Sequence, residues 1–174
     1  MDGIRIKKVL VEDLESLQKI GKQTFFETFS GSNTHEDMMK YLEESFNIDK
    51  LTDEIENTFS AFFFALIDND VVGYLKLNTG DSQTEMRDRK SLEIERIYVL
   101  NNYQGKRVGQ LLYEKAIQVA KELDVEYVWL GVWENNPKAI RFYKKNGFVE
   151  FDKHIFKLGN DEQTDIMMKL SLNK

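Results

Sequence analysis

Two segments in the C-terminal half of the chain combine residue types suited to anion binding and proton donation. The first, residues 92–109 (LEIERIYVLNNYQGKRVG), has the pattern of a strand that turns through a basic, glycine-containing loop into a helix. Such a loop presents backbone N–H groups to an anion at the positive end of a helix dipole. The second, residues 133–148 (WENNPKAIRFYKKNGF), places the phenol of Tyr143 on a short helix. A pyrophosphate-binding loop beside a phenol indicates a transferase that uses a phosphate-bearing cofactor.

Hydrophobic periodicity predicts the elements that position these segments. Strands are predicted at residues 4–9, 61–67, 71–77, 91–99, 127–132, 148–157 and 164–172. Helices are predicted to begin after Asp13 and Thr34, to cover residues 48–57 and 108–123, and to begin after Asn136. The polar residues 78–90 are predicted to form a mobile loop. The order favours a mixed α/β fold with strand–helix–strand units towards the C-terminus.

Several helix ends are marked by residues with a known capping preference. Asp13 and Thr34 are predicted N-caps, and Thr34 begins a sequence with capping-box spacing. Asn136 followed by Pro137 fits an N-cap and the first helical position. Gly147 fits the position just beyond the C-terminus of the same helix.

Length and charge narrow the classes of function. The 174 residues suit a single domain over residues 1–174. With a net charge of −6, the surface disfavours nucleic-acid binding and attracts cationic small molecules. The absence of cysteine and the isolation of His35 and His154 predict no metal site. With no apolar run of membrane-spanning length and no secretory signal, we expect a cytoplasmic protein that binds no membrane.

Local charge departs from the acidic average in the two motif segments. A basic cluster on an acidic protein indicates an anionic ligand at that place. The cluster comprises Lys106, Arg107, Lys138, Arg141, Lys144 and Lys145.

These residues resemble the GNAT superfamily of N-acetyltransferases, which use acetyl-CoA. The family's pyrophosphate loop, Q/R-x-x-G-x-G/A, is matched by Gln104 and Gly109, whereas Arg107 replaces the usual glycine at the fourth position. Because glycine is preferred where φ is positive, this departure bears on the φ angle of the loop. The later element N-x-x-A-x-x-x-Y-x-x-x-G-F is matched in full by Asn136, Ala139, Tyr143, Gly147 and Phe148.

Further segments resemble the PaiA branch of this superfamily, described as polyamine (spermidine/spermine) N-acetyltransferases. They are TFFETF at residues 24–29, YLEESF at 41–46, SLEIERIYV at 91–99, WLGVWE at 129–134 and EQTD at 162–165. The resemblance implies a GNAT fold, with a mixed, mostly antiparallel sheet of about seven strands flanked by helices. It also implies a sheet splayed at the acetyl-CoA site, and the adjacent charges Glu95 and Arg96 predict a β-bulge there.

The resemblance implies an acetyl-CoA site along one strand and two helix N-termini. The pantetheine arm would bond to the strand main chain, the loop would hold the pyrophosphate, and the later helix would contact the pantetheine or nucleotide. Lys145 is alternatively a solvated lysine at a helix end. The predicted cofactor-binding residues are Ile97, Tyr98, Val99, Gln104, Gly105, Lys106, Arg107, Val108, Gly109, Gln110, Asn136, Ala139, Tyr143 and Lys145.

Acetyl transfer to an amine requires a base for the ammonium proton and an acid for the leaving thiolate. Glu95, in the middle of a strand predicted to be covered on both faces, is the candidate base, with Glu93 close behind. Alternatively, Glu95 pairs with Arg96 or another cation for structure. The resemblance implies that Tyr143 is the acid, since a phenol and an alkyl thiol have similar pKa values.

The amine acceptor is predicted to bind between the N-terminal helices and the strand ends. Their acidic residues would bind the distal ammonium groups of a polyamine, and Trp133 would line the site. The acids concerned are Glu27, Glu36, Asp37, Glu43 and Glu44, each of which is alternatively a surface charge. Another amine acceptor (amino acid, aminoglycoside or protein N-terminus) and an acetyl-CoA-binding regulator stay open, and we expect a monomer or homodimer.

Overall fold

Seven strands form a single sheet in the order β1-β2-β3-β4-β5-β7-β6 in the computed structural model, which describes residues 3–172. The strands are β1 (Ile4–Lys8), β2 (Ser60–Ile67), β3 (Asp70–Thr79), β4 (Ser91–Val99), β5 (Tyr127–Trp133), β6 (Val149–Leu158) and β7 (Asp161–Ser171). The helices are α1 (Leu14–Phe29), α2 (His35–Ser45), α3 (Ile48–Glu56), α4 (Val108–Glu122) and α5 (Pro137–Lys145). The predicted mixed α/β fold is confirmed.

The sheet is antiparallel except between its two central strands. β4 and β5 run parallel, and they pair only from Ser91–Tyr127 to Ile94–Leu130. Beyond Ile94 and Leu130 the two strands carry on without pairing to each other, so the sheet opens there. The predicted mostly antiparallel sheet, splayed at its centre, is therefore confirmed.

The apolar side chains form one core on each face of the sheet. On one face, Leu112 and Ala116 of α4 and Tyr143 of α5 pack against sheet residues such as Leu92 and Leu130. On the other face, a second cluster fills the space beneath α1, α2 and α3. Its members are Val9, Leu17, Ile20, Phe25, Phe29, Met38, Leu42, Phe46, Leu51, Phe62, Phe64, Leu66, Tyr74 and Leu158.

Most predicted helix caps are present. Thr34 accepts a hydrogen bond from the Asp37 amide at 3.1 Å, and Asn136 accepts one from the Ala139 amide at 3.2 Å. Gly147 has a φ of +96°, the left-handed conformation expected just beyond a helix end. The prediction of side-chain capping by Asp13 is wrong, because its carboxylate instead accepts from the Leu10 amide at 2.9 Å.

Residues 78–90 are anchored to the sheet, which the prediction of a mobile loop missed. The first two residues extend β3 to Thr79. The Gln83 side chain is only 1% exposed, and its Oε1 accepts hydrogen bonds from Trp129 Nε1 and Ser91 Oγ, both at 2.7 Å. These bonds hold the segment over the end of the sheet where β4 and β5 are paired.

Candidate active site

The divergence of β4 and β5 opens a cavity of about 740 Å³ that reaches both faces of the sheet. Its walls include Ile97 and Val99 of β4, Trp133 of β5 and Tyr143 of α5. Because the strands no longer pair here, β4 can hydrogen-bond an extended ligand along its free edge.

A β-bulge lies at the start of this opening. In the β3–β4 ladder Lys76 is opposite Arg96 and Leu77 is opposite Ile94, so Glu95 is the extra residue on β4. Ile94 packs on the α4 face, whereas the side chains of Glu95 and Arg96 both lie on the α1–α3 face. The predicted bulge is confirmed, and it places two charged side chains on one face in succession.

Glu95 is held in an ionic network rather than left free. Its Oε2 lies 2.6 Å from Lys76 Nζ and 3.5 Å from Arg96 Nε. Glu54 of α3 approaches the same two cations, at 3.3 and 3.4 Å. Burial alone would raise the pKa of Glu95, but the charges of Arg96 and Lys76 outweigh it and lower the pKa below its usual value. A carboxylate stabilised in this way is a poor direct acceptor for an ammonium proton.

Glu93, the second candidate base, is engaged in hydrogen bonds. The residue is 3% exposed and accepts from Asn78 Nδ2 at 3.0 Å, from the Thr84 amide at 2.8 Å and from Thr84 Oγ1 at 2.5 Å. Burial raises its pKa despite these bonds. Its contacts tie Asn78 and Thr84 to β4, which indicates a structural role.

The loop before α4 has the geometry of an anion site. Gly105 and Arg107 both have positive φ angles, +78° and +69°. Arg107 therefore adopts the left-handed conformation that glycine usually provides. It is the N-cap residue of α4 but makes no capping hydrogen bond with its side chain. The first amides of the helix, from Val108 to Gln110, thus have no intrahelical acceptor and are available to an anion.

Most of the predicted cofactor-binding residues line the cavity, and two do not. Lys106 lies outside it, with Nζ 5.4 Å from the centroid of the Tyr103 ring. The Val108 side chain is 1% exposed in the core, so only its main chain is at the helix start. The residues that do line the cavity are Ile97, Tyr98, Val99, Gln104, Gly105, Arg107, Gly109, Gln110, Asn136, Ala139, Tyr143 and Lys145.

Two further basic residues of α5 join this end of the cavity. Lys138 and Arg141 line it beside Lys145, and Lys138 Nζ donates a hydrogen bond to Gln104 Oε1 at 3.0 Å. That bond links α5 to the loop before α4. Both residues belong to the basic cluster noted in the sequence, but they are not among the predicted cofactor-binding residues.

Tyr143 is a buried wall residue of the cavity. It is 7% exposed and packs between Phe142 and Phe148, with ring centroids at 5.3 and 5.7 Å. Burial raises its pKa above the usual value for tyrosine, so the phenol keeps its proton at neutral pH.

The acids of the N-terminal helices do not line the cavity. Glu27 accepts a hydrogen bond from the Asn101 amide at 2.9 Å, and Glu43 pairs with Lys22 at 3.2 Å. Asp37 lies against Gly159, while Glu36 and Glu44 are exposed on α2. The structure thus does not bring these five acids together at the acceptor end. Trp133, in contrast, lines the cavity and lies 5.2 Å from the Phe29 ring.

The acidic groups that do line the cavity come from other elements. Glu85 follows the anchored Gln83, and its Oε1 lies 3.0 Å from Nδ1 of His154 on β6. Asp165 of β7 is directly opposite His154 and also lines the cavity. Burial raises the pKa of Asp165 to about 6, against the opposing effect of His154.

The sequence patterns did not predict this group, although Asp165 is the last residue of the segment EQTD, which resembles the PaiA branch. Aromatic rings surround these acids. Those that line the cavity on this side are Phe25, Phe29, Tyr41, Phe46, Trp133 and Phe156. An apolar wall with a few carboxylates suits an aliphatic cation.

The described residues contain neither a cluster of metal ligands nor a membrane-spanning helix. Across residues 3–172, no three histidine, cysteine, aspartate or glutamate side chains are grouped so as to hold a metal ion. None of the helices in that range is long and apolar enough to cross a membrane.

The model of the acetyltransferase (GNAT) family matches residues 24–148. The chain therefore belongs to the GNAT family of acetyltransferases, and the predicted superfamily is confirmed.

Individual relatives have similar lengths. The chain is 42% identical over 172 residues to an uncharacterized N-acetyltransferase in the pepI 3′ region of Lactobacillus delbrueckii subsp. lactis, covering 99% of both chains. It is 27% identical over 150 residues to spermidine N(1)-acetyltransferase of Thermoplasma acidophilum, covering 84% of this chain and 88% of that protein. The crystal structure of the PaiA N-acetyltransferase of Thermoplasma acidophilum in complex with coenzyme A superposes with a TM-score of 0.79 and 26% identity, over 97% and 98% of the two chains.

The residues of this chain fit acetyl-CoA as the co-substrate. The uncapped start of α4 and the basic side chains of Arg107, Lys138 and Arg141 suit a pyrophosphate, and the free edge of β4 suits an extended amide-bearing arm. The predicted co-substrate is confirmed, and the protein is an acetyl-CoA-dependent N-acetyltransferase.

Proposed function

We propose that the protein acetylates a primary amine of an aliphatic polyamine of the spermidine or spermine type. The observation that carries this proposal is the division of charge along one cavity. Arg107, Lys138, Arg141 and Lys145 line it at the α4–α5 end. Carboxylates predominate at the other end, where Glu85, Glu93, Glu95 and Asp165 line it together with Arg96.

The basic end matches an anionic co-substrate, and the acidic end matches a cationic acceptor. A polyamine carries several ammonium groups on flexible methylene chains, so it requires both carboxylates and apolar walls. The rings of Phe29, Tyr41 and Phe156 supply the walls, and Glu85 and Asp165 lie among them. The similarity to spermidine N(1)-acetyltransferase of Thermoplasma acidophilum supports the same acceptor class.

Tyr143 is proposed as the general acid. When bound, acetyl-CoA supplies a thioester whose carbonyl carbon is attacked by an amine and whose sulfur leaves as a thiolate. Tyr143 lines the cavity, and burial keeps its hydroxyl group protonated. It is placed on α5, the same helix that carries Lys138 and Arg141, so cofactor binding and proton donation share one element.

The proposal is tested by measuring initial rates of thiol release with acetyl-CoA and a panel of amines: spermidine, spermine, putrescine, lysine, an aminoglycoside and a peptide with a free N-terminus. We expect saturable turnover with spermidine and spermine and a much lower kcat/KM for the others. A Glu85→Gln variant should raise the KM for spermidine and leave the Kd for coenzyme A unchanged, because Glu85 is at the acidic end.

Preference for a monoamine or a peptide N-terminus would contradict the polyamine assignment and leave the family assignment intact. An exposed acid outside the cavity provides the control, and Glu44→Gln should change neither constant. The cytoplasmic location, the single domain and the monomeric or dimeric state stay predictions.

A further inference from the structure

We propose that Asp165 is the general base, which accepts the proton of the acceptor ammonium group. The proposal builds on the proposed function in one respect only, namely that the acceptor is an amine that arrives protonated. It assigns a catalytic role to a strand, β7, from which neither the motifs nor the resemblance gave a catalytic residue.

Asp165 lies at the opening between β4 and β5. Asp165 is paired with Trp133, which is two positions along β5 from Gly131, the first β5 residue beyond the pairing with β4. A Cβ atom on Gly131 would be 3.5 Å from Asp165 Oδ2, so the carboxylate lies directly over the glycine. The lack of a side chain at residue 131 therefore leaves Asp165 open to the gap between the strands, where acyl transfer must occur.

Asp165 and Tyr143 lie on opposite faces of the sheet. Directly paired residues of an antiparallel ladder share a face. Asp165 thus shares the α1–α2 face with Trp133, which packs against Phe29. Tyr143 belongs to the core on the opposite face, beneath α4 and α5. A base and an acid on opposite sides of the same opening allow the amine to enter from one side while the thiol leaves on the other.

The Asp165 carboxylate makes no hydrogen bond with another described side chain. Burial is the main influence on its pKa, and the charge of His154 opposes burial only in part. Glu95 is paired with Lys76, and Glu93 accepts three hydrogen bonds. With a pKa of about 6, Asp165 is a stronger base than an ordinary aspartate. Its carboxylate is still ionised at neutral pH.

Other titratable groups around Asp165 have to be considered in any pH measurement. His154 of β6 is opposite it and lowers its pKa, and Tyr41 of α2 is within electrostatic range. Trp133 and Gly131 of β5 are neutral. The remaining charged groups at this end of the cavity are Glu85, Glu93, Glu95 and Arg96.

The step is a single proton transfer. One N–H bond of the acceptor ammonium breaks, its electron pair stays on nitrogen, and the proton bonds to an Asp165 carboxylate oxygen. The products are a neutral amine and a carboxylic acid, and the carboxylic acid returns its proton to solvent after turnover. No oxidant, metal or further reactant is needed.

The test is the Asp165→Asn variant, which keeps the shape and removes the base. We expect kcat/KM for the acceptor to fall about 100-fold or more, with an unchanged Kd for coenzyme A by calorimetry as the check on folding. The acid limb of the pH profile of kcat/KM, expected near the pKa of about 6, should disappear. Asp152→Asn is the matched control, since Asp152 is exposed on the neighbouring strand and outside the cavity, and it should behave as the wild type.

A second acceptor makes the test specific to proton removal. A 2,2-difluorinated diamine has a lower amine pKa than the parent diamine, so more of it arrives neutral. The fall in kcat/KM caused by Asp165→Asn should be smaller with the fluorinated amine than with its parent. An equal fall in kcat/KM with the two amines would overturn the assignment. An acid limb that persists in the pH profile of Asp165→Asn would also overturn it.

A readout without turnover completes the test. Carboxyl carbon NMR of the protein alone, with Asp165→Asn to identify the signal, should show Asp165 titrating near the pKa of about 6. A pKa at the ordinary value for aspartate would overturn the assignment. If the preferred acceptor is not a polyamine, the same variants are measured with that amine. Loss of the acid limb with that amine would support Asp165 as the base, whereas the acceptor preference would contradict only the polyamine proposal.

Discussion

The Glu95 carboxylate lies 2.6 Å from the Lys76 ammonium group, next to the bulge that displaces β4 from the ladder. Lys76 is 4% exposed, so its charge depends on Glu95 and Glu54 for compensation. Removing one partner of a buried ion pair costs far more than the pair contributes net. Glu95 therefore stabilises the bulge whatever it contributes to catalysis.

We expect Glu95→Gln to lower the free energy of unfolding by about 2 kcal/mol near pH 7, because Lys76 loses a charged partner. The folded-state pKa of Glu95 is lowered, so its stabilising effect is present above the unfolded pKa and is lost as the pH falls. Urea unfolding of both proteins should thus show a difference that shrinks on acidification. The same variant should keep the acid limb of the rate profile, and its loss would point to Glu95 as the base after all.

Tyr143→Phe should lower kcat about 100-fold while leaving the Kd for coenzyme A unchanged, because the ring stays in place and only the proton donor is removed. Steady-state kinetics and calorimetry measure the two constants. Tyr113→Phe is a suitable control, since Tyr113 packs 6.0 Å from Phe142 in the same core but does not line the cavity. Full activity of Tyr143→Phe would remove Tyr143 from the acid role.

Arg107 has a φ of +69°, which costs a non-glycine residue about 1 kcal/mol or more. Arg107→Gly should therefore be more stable than Arg107→Ala by about 1 kcal/mol in thermal or urea unfolding. Both variants lose the same charge, so both should bind coenzyme A more weakly than the wild type and to a similar extent. Equal stability of the two would contradict the left-handed conformation.

Asp165→Asn should be more stable than the wild type at about pH 8 by about 1–2 kcal/mol, a figure reduced for the partial exposure of the group. The sign follows from a folded-state pKa, about 6, that is higher than the unfolded value of 3.8. The contribution of Asp165 to the free energy of unfolding of the wild type is fully present below the unfolded pKa. It is lost as the pH rises through about 6. Near pH 4 the two proteins should unfold at similar urea concentrations. A wild type that is the more stable at high pH would contradict the raised pKa.

The elements built from local signals could be predicted well from the sequence. β4 spans the predicted residues 91–99, and Thr34 and Asn136 cap their helices as expected. These features depend on residues close together in the chain, where periodicity and capping chemistry act directly.

The acceptor end of the cavity could not be predicted in the same way. Glu85, His154 and Asp165 meet only because β6 pairs with β7 and because Gln83 bonds to Trp129, 46 positions away along the chain. The acids of α1 and α2 looked equally suitable in the sequence. Helix orientation turned Glu36 and Glu44 to solvent, and composition alone does not encode that orientation.

The division of charge along the cavity has a consequence for the departure of product. Acetylation converts an ammonium group into a neutral amide, so the acceptor loses a positive charge at the end lined by Glu85 and Asp165. The carboxylates that attracted the substrate then hold the product less strongly. We expect the acetylated amine to be a weak inhibitor and the reaction to run in one direction without a moving lid to expel it.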